Sequence, residues 1–275
     1  MPSGVHDSAF IVNAYRASLP DVSLDRFAHL WVSEENQKWA AQYAEKIGPN
    51  EILVHALRHR FSLDGITKFL DAMPAGVFVN IGAGFTNYPY LIPSGVPCCE
   101  VDTENNINLK KRRLAEFEKS GNIPPREIKF IAANDLNDPA QVSSLGSMIN
   151  EWLAGRPSFV LCEGVFFYLN IEAIRQLYRM LSSIQQTGDI VASTSFRPEE
   201  SGKAMYQRLV DYCRSDYRMK RFTPTNVPTG FYSGQSGYSL VSHENYLTLC
   251  EKYAPGRFLS RDEVLEEDCY VLERL

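Results

Sequence analysis

The sequence lacks several features that would settle its class at once. No stretch of about 18 apolar residues occurs, so no segment reads as a membrane-spanning helix. Met1 to Pro20 carries neither a basic segment leading into an apolar one nor a small-residue cleavage site. The expectation is a soluble, cytoplasmic protein. Basic residues are not in excess: 28 Lys and Arg stand against 33 Asp and Glu, a net charge of -5 spread along the chain. That distribution offers no electrostatic footprint for nucleic acid and favours a small or peptidic substrate. The six cysteines, at 98, 99, 162, 213, 250 and 269, include no CxxC pair, and no histidine stands near one at ligand spacing. A metal site is therefore not expected, and the cysteines read as buried thiols.

What is present suits one large α/β domain, for which 275 residues suffice. Between 24 and 73 apolar residues recur at helical spacing, as in Phe27, Leu30 and Trp31, then Trp39, Ala40 and Tyr43, then Ile52, Val54, Leu57 and Phe61. Residues 1–73 are thus predicted to form a helical N-terminal segment. After Pro74 and Gly76 come short apolar or β-branched runs: Val77 to Ile81, Cys98 to Val101, Ile128 to Ala133, Ser158 to Cys162 and Asp189 to Ser195. Amphipathic stretches around Leu109 to Lys119, Ala140 to Leu153 and Ile171 to Gln185 lie between them. This alternation predicts an open, doubly wound sheet over 74–196, with ligands beyond the carboxyl ends of its strands. Residues 197–238, rich in Tyr, Arg, Pro, Gly and Ser, read as a lid or insertion over the site. Ser239 to Leu249 resumes a helical pattern and Cys269 to Leu272 alternates, so 239–275 are expected to supply a C-terminal helix and closing strands.

The strand ends carry the chemistry. After the first run, Asn80-Ile81-Gly82-Ala83-Gly84-Phe85-Thr86-Asn87 is a glycine turn of the kind that lets a backbone approach a ligand closely, though any strand-to-helix turn can look the same. A dinucleotide fingerprint asks for glycine or alanine where Asn87 stands, and Pro89 follows where the helix should run. Both count against NAD. The second run ends in Glu100-Val101-Asp102, about 20 residues beyond Gly82, the spacing at which an acid reaches ribose hydroxyls. A carboxylate accepts two hydrogen bonds side by side, which suits a diol. The third run leads into Ala133-Asn134-Asp135-Leu136 and the fourth into Leu161-Cys162-Glu163-Gly164-Val165-Phe166-Phe167-Tyr168-Leu169.

Taken in order, GAGF, EVD, NDL and CEGVFFYL resemble the leucine carboxyl methyltransferase family, which includes protein phosphatase methyltransferases and tetracenomycin-type polyketide O-methyltransferases. Arg58-His59-Arg60-Phe61-Ser62-Leu63-Asp64 is similar to the family's arginine segment, and Tyr270 to Leu275 to its closing strand. The resemblance implies a Rossmann-like class I methyltransferase fold, an α/β architecture whose seven-stranded, mostly parallel sheet has helices on both faces. It implies S-adenosylmethionine as cofactor. Arg58 would hold the methionine carboxylate, and Gly82, Ala83 and Gly84 would pass beside the cofactor. Asp102 would take the ribose hydroxyls; Asp135, beside Asn134, would accept from the adenine amino group while the N–H of Leu136 faces a ring nitrogen. Glu163 would lie near the methionine amino group. Taken singly, each has a plainer role: Arg58 pairing with an acid, Asp135 capping the helix near Pro139, Glu163 balanced by an arginine. The family's aspartate and threonine after the glycine turn are replaced here by Thr86 and Asn87.

The resemblance also implies transfer to an oxygen. The expected acceptor is a carboxylate of a small molecule or peptide, received by arginines of the lid such as Arg197, Arg218 and Arg221, with Tyr168 close by. The alternative is the phenolic hydroxyl of a polyketide-like compound, which needs a base, and none stands at a family position. Two other classes compete. A nicotinamide-dependent oxidoreductase is opposed by Asn87, by CEGVFFYL and by the lack of a Tyr-x-x-x-Lys relay. A protein that keeps the fold but only binds a partner is favoured by Thr86 and opposed by Arg58, Asp102, Asp135 and Glu163. No catalytic residue is assigned.

Overall fold

A computed structural model describes residues 5–217, 219 and 222–275, with side chains from residue 8 onward. Its strands are β1 (Val77–Ile81), β2 (Cys98–Asp102), β3 (Ile128–Ala132), β4 (Ser158–Cys162), β5 (Ile190–Phe196), β6 (Tyr238–Glu244) and β7 (Glu267–Arg274). They form one seven-stranded sheet in the order β3-β2-β1-β4-β5-β7-β6. The first five run parallel, while β7 is antiparallel to both β5 and β6. Every residue of β1 and β4 is buried, which is why both read as continuous apolar runs rather than alternations.

The α-helices are α1 (Val5–Ser18), α2 (Pro20–Ser23), α3 (Glu34–Lys46), α4 (Glu51–Ala72), α5 (Tyr88–Leu91), α6 (Glu104–Lys119), α7 (Pro139–Leu153), α8 (Ile171–Ile184), α9 (Ala204–Ser215), α10 (Thr229–Ser233) and α11 (Tyr246–Tyr253). Successive residues of β1 point to opposite faces, and the core divides accordingly. Val77, Val79 and Ile81 pack with Leu145 and Ile149 of α7 and Ile174 and Leu177 of α8. Phe78 packs on the other face with Leu63, Ile66, Phe69 and Leu70 of α4. Among the described residues no helix is long and apolar enough to cross a membrane.

One expectation is corrected. Ser239 to Leu249 is not a single helical stretch: β6 occupies Tyr238–Glu244 and α11 begins at Tyr246. As an edge strand, β6 pairs only with β7, and its inward positions include Ser242 and Glu244. Burial alternates with period two while hydrophobicity does not, so the strand signal is hidden.

The segment 197–238 divides. Its first part, with α9, packs Tyr206, Leu209 and Tyr212 against Ile11, Tyr15 and Tyr43 of the N-terminal helices. Its second part puts Val227, Tyr232 and Tyr238 into the main core beside the sheet.

Beneath β2 lies a buried ion pair, Lys110 Nζ to Glu100 Oε1 at 2.7 Å, with both side chains essentially unexposed. Burial raises the Glu100 pKa and Lys110 pulls it back down. Lys110→Met is expected to destabilise the fold by about 3–5 kcal/mol, because it leaves a buried acid without its partner. The folded-state pKa of that acid would then rise further, so the loss should be larger at pH 8 than at pH 5. Replacing both residues by methionine should recover most of the stability. Urea unfolding of the three variants at the two pH values checks this.

Candidate active site

The strand order turns back between β1 and β4, and in open α/β sheets the crevice beyond such a point binds ligands. A cavity of about 400 Å³ opens there. It is lined by Gly82, Ala83 and Gly84 after β1, Asp102 at the end of β2, Asn134, Asp135 and Leu136 after β3, Glu163 after β4, and Arg58 of α4, with Tyr168 further in. Arg197 is not part of the lining. Its guanidinium pairs with Glu266 and stands 3.4 Å from Asp268, so it is already neutralised elsewhere. Arg218 and Arg221 lie outside the described residues.

The glycine turn is shaped as much by protein as by ligand. Gly82 has φ +72°, and a Cβ there would lie 2.3 Å from Val165 Cγ2. A Cβ on Gly84, at φ +47°, would meet Ala9 of α1 at 3.2 Å. Phe85 is held between Phe10 and Trp31, with ring centroids 4.4 and 4.9 Å away, and its carbonyl accepts from Asn13 Nδ2 at 3.0 Å. The turn therefore seats the N-terminal helices. Asn87 serves the same end: it accepts from Trp31 Nε1 at 2.8 Å and donates to both oxygens of Asp25, at 2.9 and 3.1 Å. Thr86 stays local, accepting from Asn80 Nδ2 and donating to the Ala83 carbonyl, each at 2.9 Å.

Asp102 is partly engaged. Oδ2 accepts from Gly84 N at 2.7 Å, and Oδ1 accepts from Thr103 N at 2.7 Å and Asn106 Nδ2 at 2.8 Å. One lone pair of Oδ2 remains for a ligand. Asp135 does not cap α7; Asp138 does, accepting from Ala140 N at 2.9 Å. Asp135 instead stands exposed on the rim, accepting from Asn137 N at 2.8 Å.

Arg58 is the centre of the deeper wall. Its Nε donates to Glu163 at 3.0 Å and its Nη1 to Glu267. Glu163 also accepts from the Tyr88 hydroxyl, and Glu267 from Thr194 Oγ1 at 2.5 Å. Burial opposes ionisation of Glu163, but Arg58 and then Arg16 outweigh it and hold the pKa at about 2.

Sequence reasoning missed several lining residues. Glu267 pairs with Arg58 across 209 positions, so no local spacing announces it. Arg16, on α1, is a single arginine in a helical pattern; it is buried, 3.9 Å from Asp25, with Nη1 otherwise unpartnered among the described residues. Glu51 and His55, one turn apart on α4, read only as polar positions of a helix. Burial lifts the Glu51 pKa to about 8, against the pull of Arg58. Burial, then Arg58, drives that of His55 down to about 3.

The sequence matches the leucine carboxyl methyltransferase family over residues 11–182. The chain belongs to this family. Curated relatives from Mycobacterium tuberculosis and Mycobacterium bovis, provisionally named S-adenosyl-L-methionine-dependent methyltransferases, are 24% identical over 211 residues, covering 71% of this chain. The match spans 63% of those relatives' length. A protein from Thermobifida fusca, provisionally described as a methyltransferase, superposes with a TM-score of 0.65 at 13% identity, covering 99% of this chain and 95% of that one. A DUF574 family protein from Streptomyces avermitilis gives 0.64 at 13% identity over 96% and 97% of the two chains. The magnesium protoporphyrin IX methyltransferase of Synechocystis, solved with S-adenosylmethionine bound, gives 0.51 at 12% identity over 96% and 97%. At such identities these structures speak for the fold alone, a Rossmann-like methyltransferase fold.

Family membership makes S-adenosylmethionine the cofactor, and the cleft suits it. Arg16 Nη1 is buried without a hydrogen-bond partner, and Arg58 Nη2 makes no hydrogen bond among the described residues, which leaves two guanidinium groups for a carboxylate. Asp102 retains acceptor capacity for a diol, and the ionised Glu163 suits an ammonium group.

The closeness of Gly82 to Val165 yields a test. Gly82→Ala adds a clash and a strained φ, and is expected to destabilise by about 2–4 kcal/mol and to weaken cofactor binding. Val165→Ala on that background should restore part of the stability, leaving only the φ cost. Thermal unfolding of the single and double variants measures both.

Proposed function

We propose that this chain is an S-adenosylmethionine-dependent O-methyltransferase whose acceptor is a hydroxyl group. The observation that carries the reading is convergence: Arg58, Gly82, Asp102, Asp135 and Glu163, scattered over a hundred residues, line one cleft at the switch point of the sheet. A bound S-adenosylmethionine supplies an activated methyl group, and the protein's task is to hold an acceptor oxygen in line with it.

The carboxylate acceptor finds less support. Of the arginines and lysines among the described residues, only Arg16 and Arg58 line the cleft, and both face carboxylates already. Their spare donors suit the cofactor's own carboxylate. An anionic acceptor would then sit among Glu51, Glu163 and Glu267 with no cation of its own among the described residues. A hydroxyl brings no such charge.

Calorimetry should show binding of S-adenosylhomocysteine and none of NAD. Asp102→Ala should weaken that binding about 10- to 100-fold, the loss of a hydrogen bond to a charged group, about 1.5–3 kcal/mol. An unchanged affinity would remove Asp102 from the site. The methylated product should survive mild alkali, as an ether does; release of methanol would return the acceptor to the carboxylate class.

A further inference from the structure

The inner end of the cleft, beyond Arg58, is built from helices together with the end of β5 and the turn after β4. Its walls are largely aromatic: Tyr43, Phe167, Phe196 and Tyr217, with Leu209 and Met219 between them. Phe167 and Phe196 meet edge to face at 5.3 Å. Into this apolar space face polar groups that make no hydrogen bond among the described residues. Glu51 is 5% exposed, lines the cleft and accepts no hydrogen bond from the described residues. A buried carboxyl with no donor is costly to keep unless something else completes it. The hydroxyls of Tyr43 and Tyr217, 8% and 4% exposed, line the same space and make no hydrogen bond among the described residues.

We propose that Glu51 accepts the proton of the acceptor hydroxyl, and that this end of the cleft takes an uncharged, flat aromatic alcohol. The inference rests on the methyltransferase reading and deepens it. As the acceptor oxygen bonds to the methyl carbon, its O–H proton passes to the Glu51 carboxylate. The electron pair of the broken methyl–sulfur bond stays on sulfur. The proton then leaves Glu51 for solvent, one for each methyl group transferred.

The surroundings of Glu51 favour this role over its neighbours. Arg58 on the same helix and Glu267 of β7 are the charges that act on it, with opposite effects. Tyr15, Tyr43 and Tyr246 face it as neutral phenols, held protonated by burial first and further by Glu51 for Tyr15 and Tyr43 and by Glu267 for Tyr246. His55 Nδ1 stands 3.8 Å from its carboxylate and 2.8 Å from its carbonyl oxygen. In the neutral ring that nitrogen donates to the carbonyl, leaving Nε2 as a lone pair, but a pKa of about 3 makes it a poor base for a phenol. Glu51, lifted to about 8, lies much closer to the pKa of a phenol, about 10.

The test uses carbon-13 NMR of the full chain labelled at glutamate Cδ, without ligand. The resonance missing from Glu51→Gln is that of Glu51, and it should titrate near pH 8. Adding 2-naphthol with S-adenosylhomocysteine present should shift that resonance, and calorimetry should show 2-naphthol binding at least about tenfold more tightly than 2-naphthoate. A midpoint in the ordinary range near 4–5, an unmoved resonance, or naphthoate binding as well as naphthol would each overturn the proposal. So would failure of both compounds to bind at about 1 mM. Where a phenol is methylated, the rate should climb with pH to a plateau, with a midpoint at or below about pH 8, and Glu51→Gln should lower it about 100-fold or more at the plateau. A variant rate within about threefold of the parent would also overturn it. Glu51→Gln should bind S-adenosylhomocysteine within about threefold of the parent, which shows that the variant is folded; a parent that does not bind S-adenosylhomocysteine defeats the methyltransferase reading instead.

Discussion

A guanidinium buried to 7% exposure is tolerable only where its charge is met, and the site is arranged around meeting that of Arg58. Glu163 comes to it from the end of β4 and Glu267 from the start of β7, so one side chain of α4 ties together two strands that are not neighbours in the sheet. The partners of those acids extend the set. Thr194 of β5 donates to Glu267 and in turn accepts from Gly164 N at 2.9 Å, which fixes the backbone just after Glu163. Tyr88 of α5 and Tyr246 of α11 close the ring, the latter at 3.3 Å from Glu267. The cluster thus fixes the deep wall of the cleft as well as its charge.

Much of this was legible in the sequence where function depends on local spacing. The five parallel strands and their crossover helices follow from apolar runs whose neighbours in the sheet bury both faces, and the strand ends carry Asp102, Asp135 and Glu163 at fixed offsets from those runs. What escaped depends on distance or on surroundings. Glu267 belongs to the site only because β7 inserts antiparallel beside β5. Glu51 differs from any helical glutamate only in being buried among aromatic rings, a property of the fold and not of its neighbours in the chain. Arg197, by contrast, sits in a segment of promising composition, yet Glu266 and Asp268 neutralise it before any substrate does.

The replacement of the family's aspartate and threonine by Thr86 and Asn87 also has a physical reading. Asn87 is 2% exposed and serves as a junction: its amide joins Trp31 to Asp25, and Asp25 lies 3.5 Å from His59 and 3.9 Å from Arg16. The carboxylate that faces the arginine of α1 is therefore supplied by the N-terminal segment, not by the turn. With Phe85 clasped between Phe10 and Trp31, the turn and the N-terminal helices hold each other in place. A change in the turn of this chain is a change in the roof of its cleft.

The two ends of the cleft consequently differ in what they can tolerate. One end is formed by strand ends, whose positions are fixed by the sheet register, with Arg58 and Asp102 there held by hydrogen bonds. The inner end is formed largely by side chains of α1, α3, α4 and α9, joined by Phe196 at the end of β5 and brought together by one aromatic cluster that includes Tyr15, Tyr43, Phe167 and Tyr212. Charge links the two ends all the same. Three carboxyl groups, Glu51, Glu163 and Glu267, stand near the single guanidinium of Arg58, and protonation of Glu51, whose pKa burial lifts to about 8, lessens the negative charge of the deep wall. A cation bound at the cofactor end supplies the missing positive charge and favours the ionised form of Glu51, the form that can take a proton, when a methyl donor is in place.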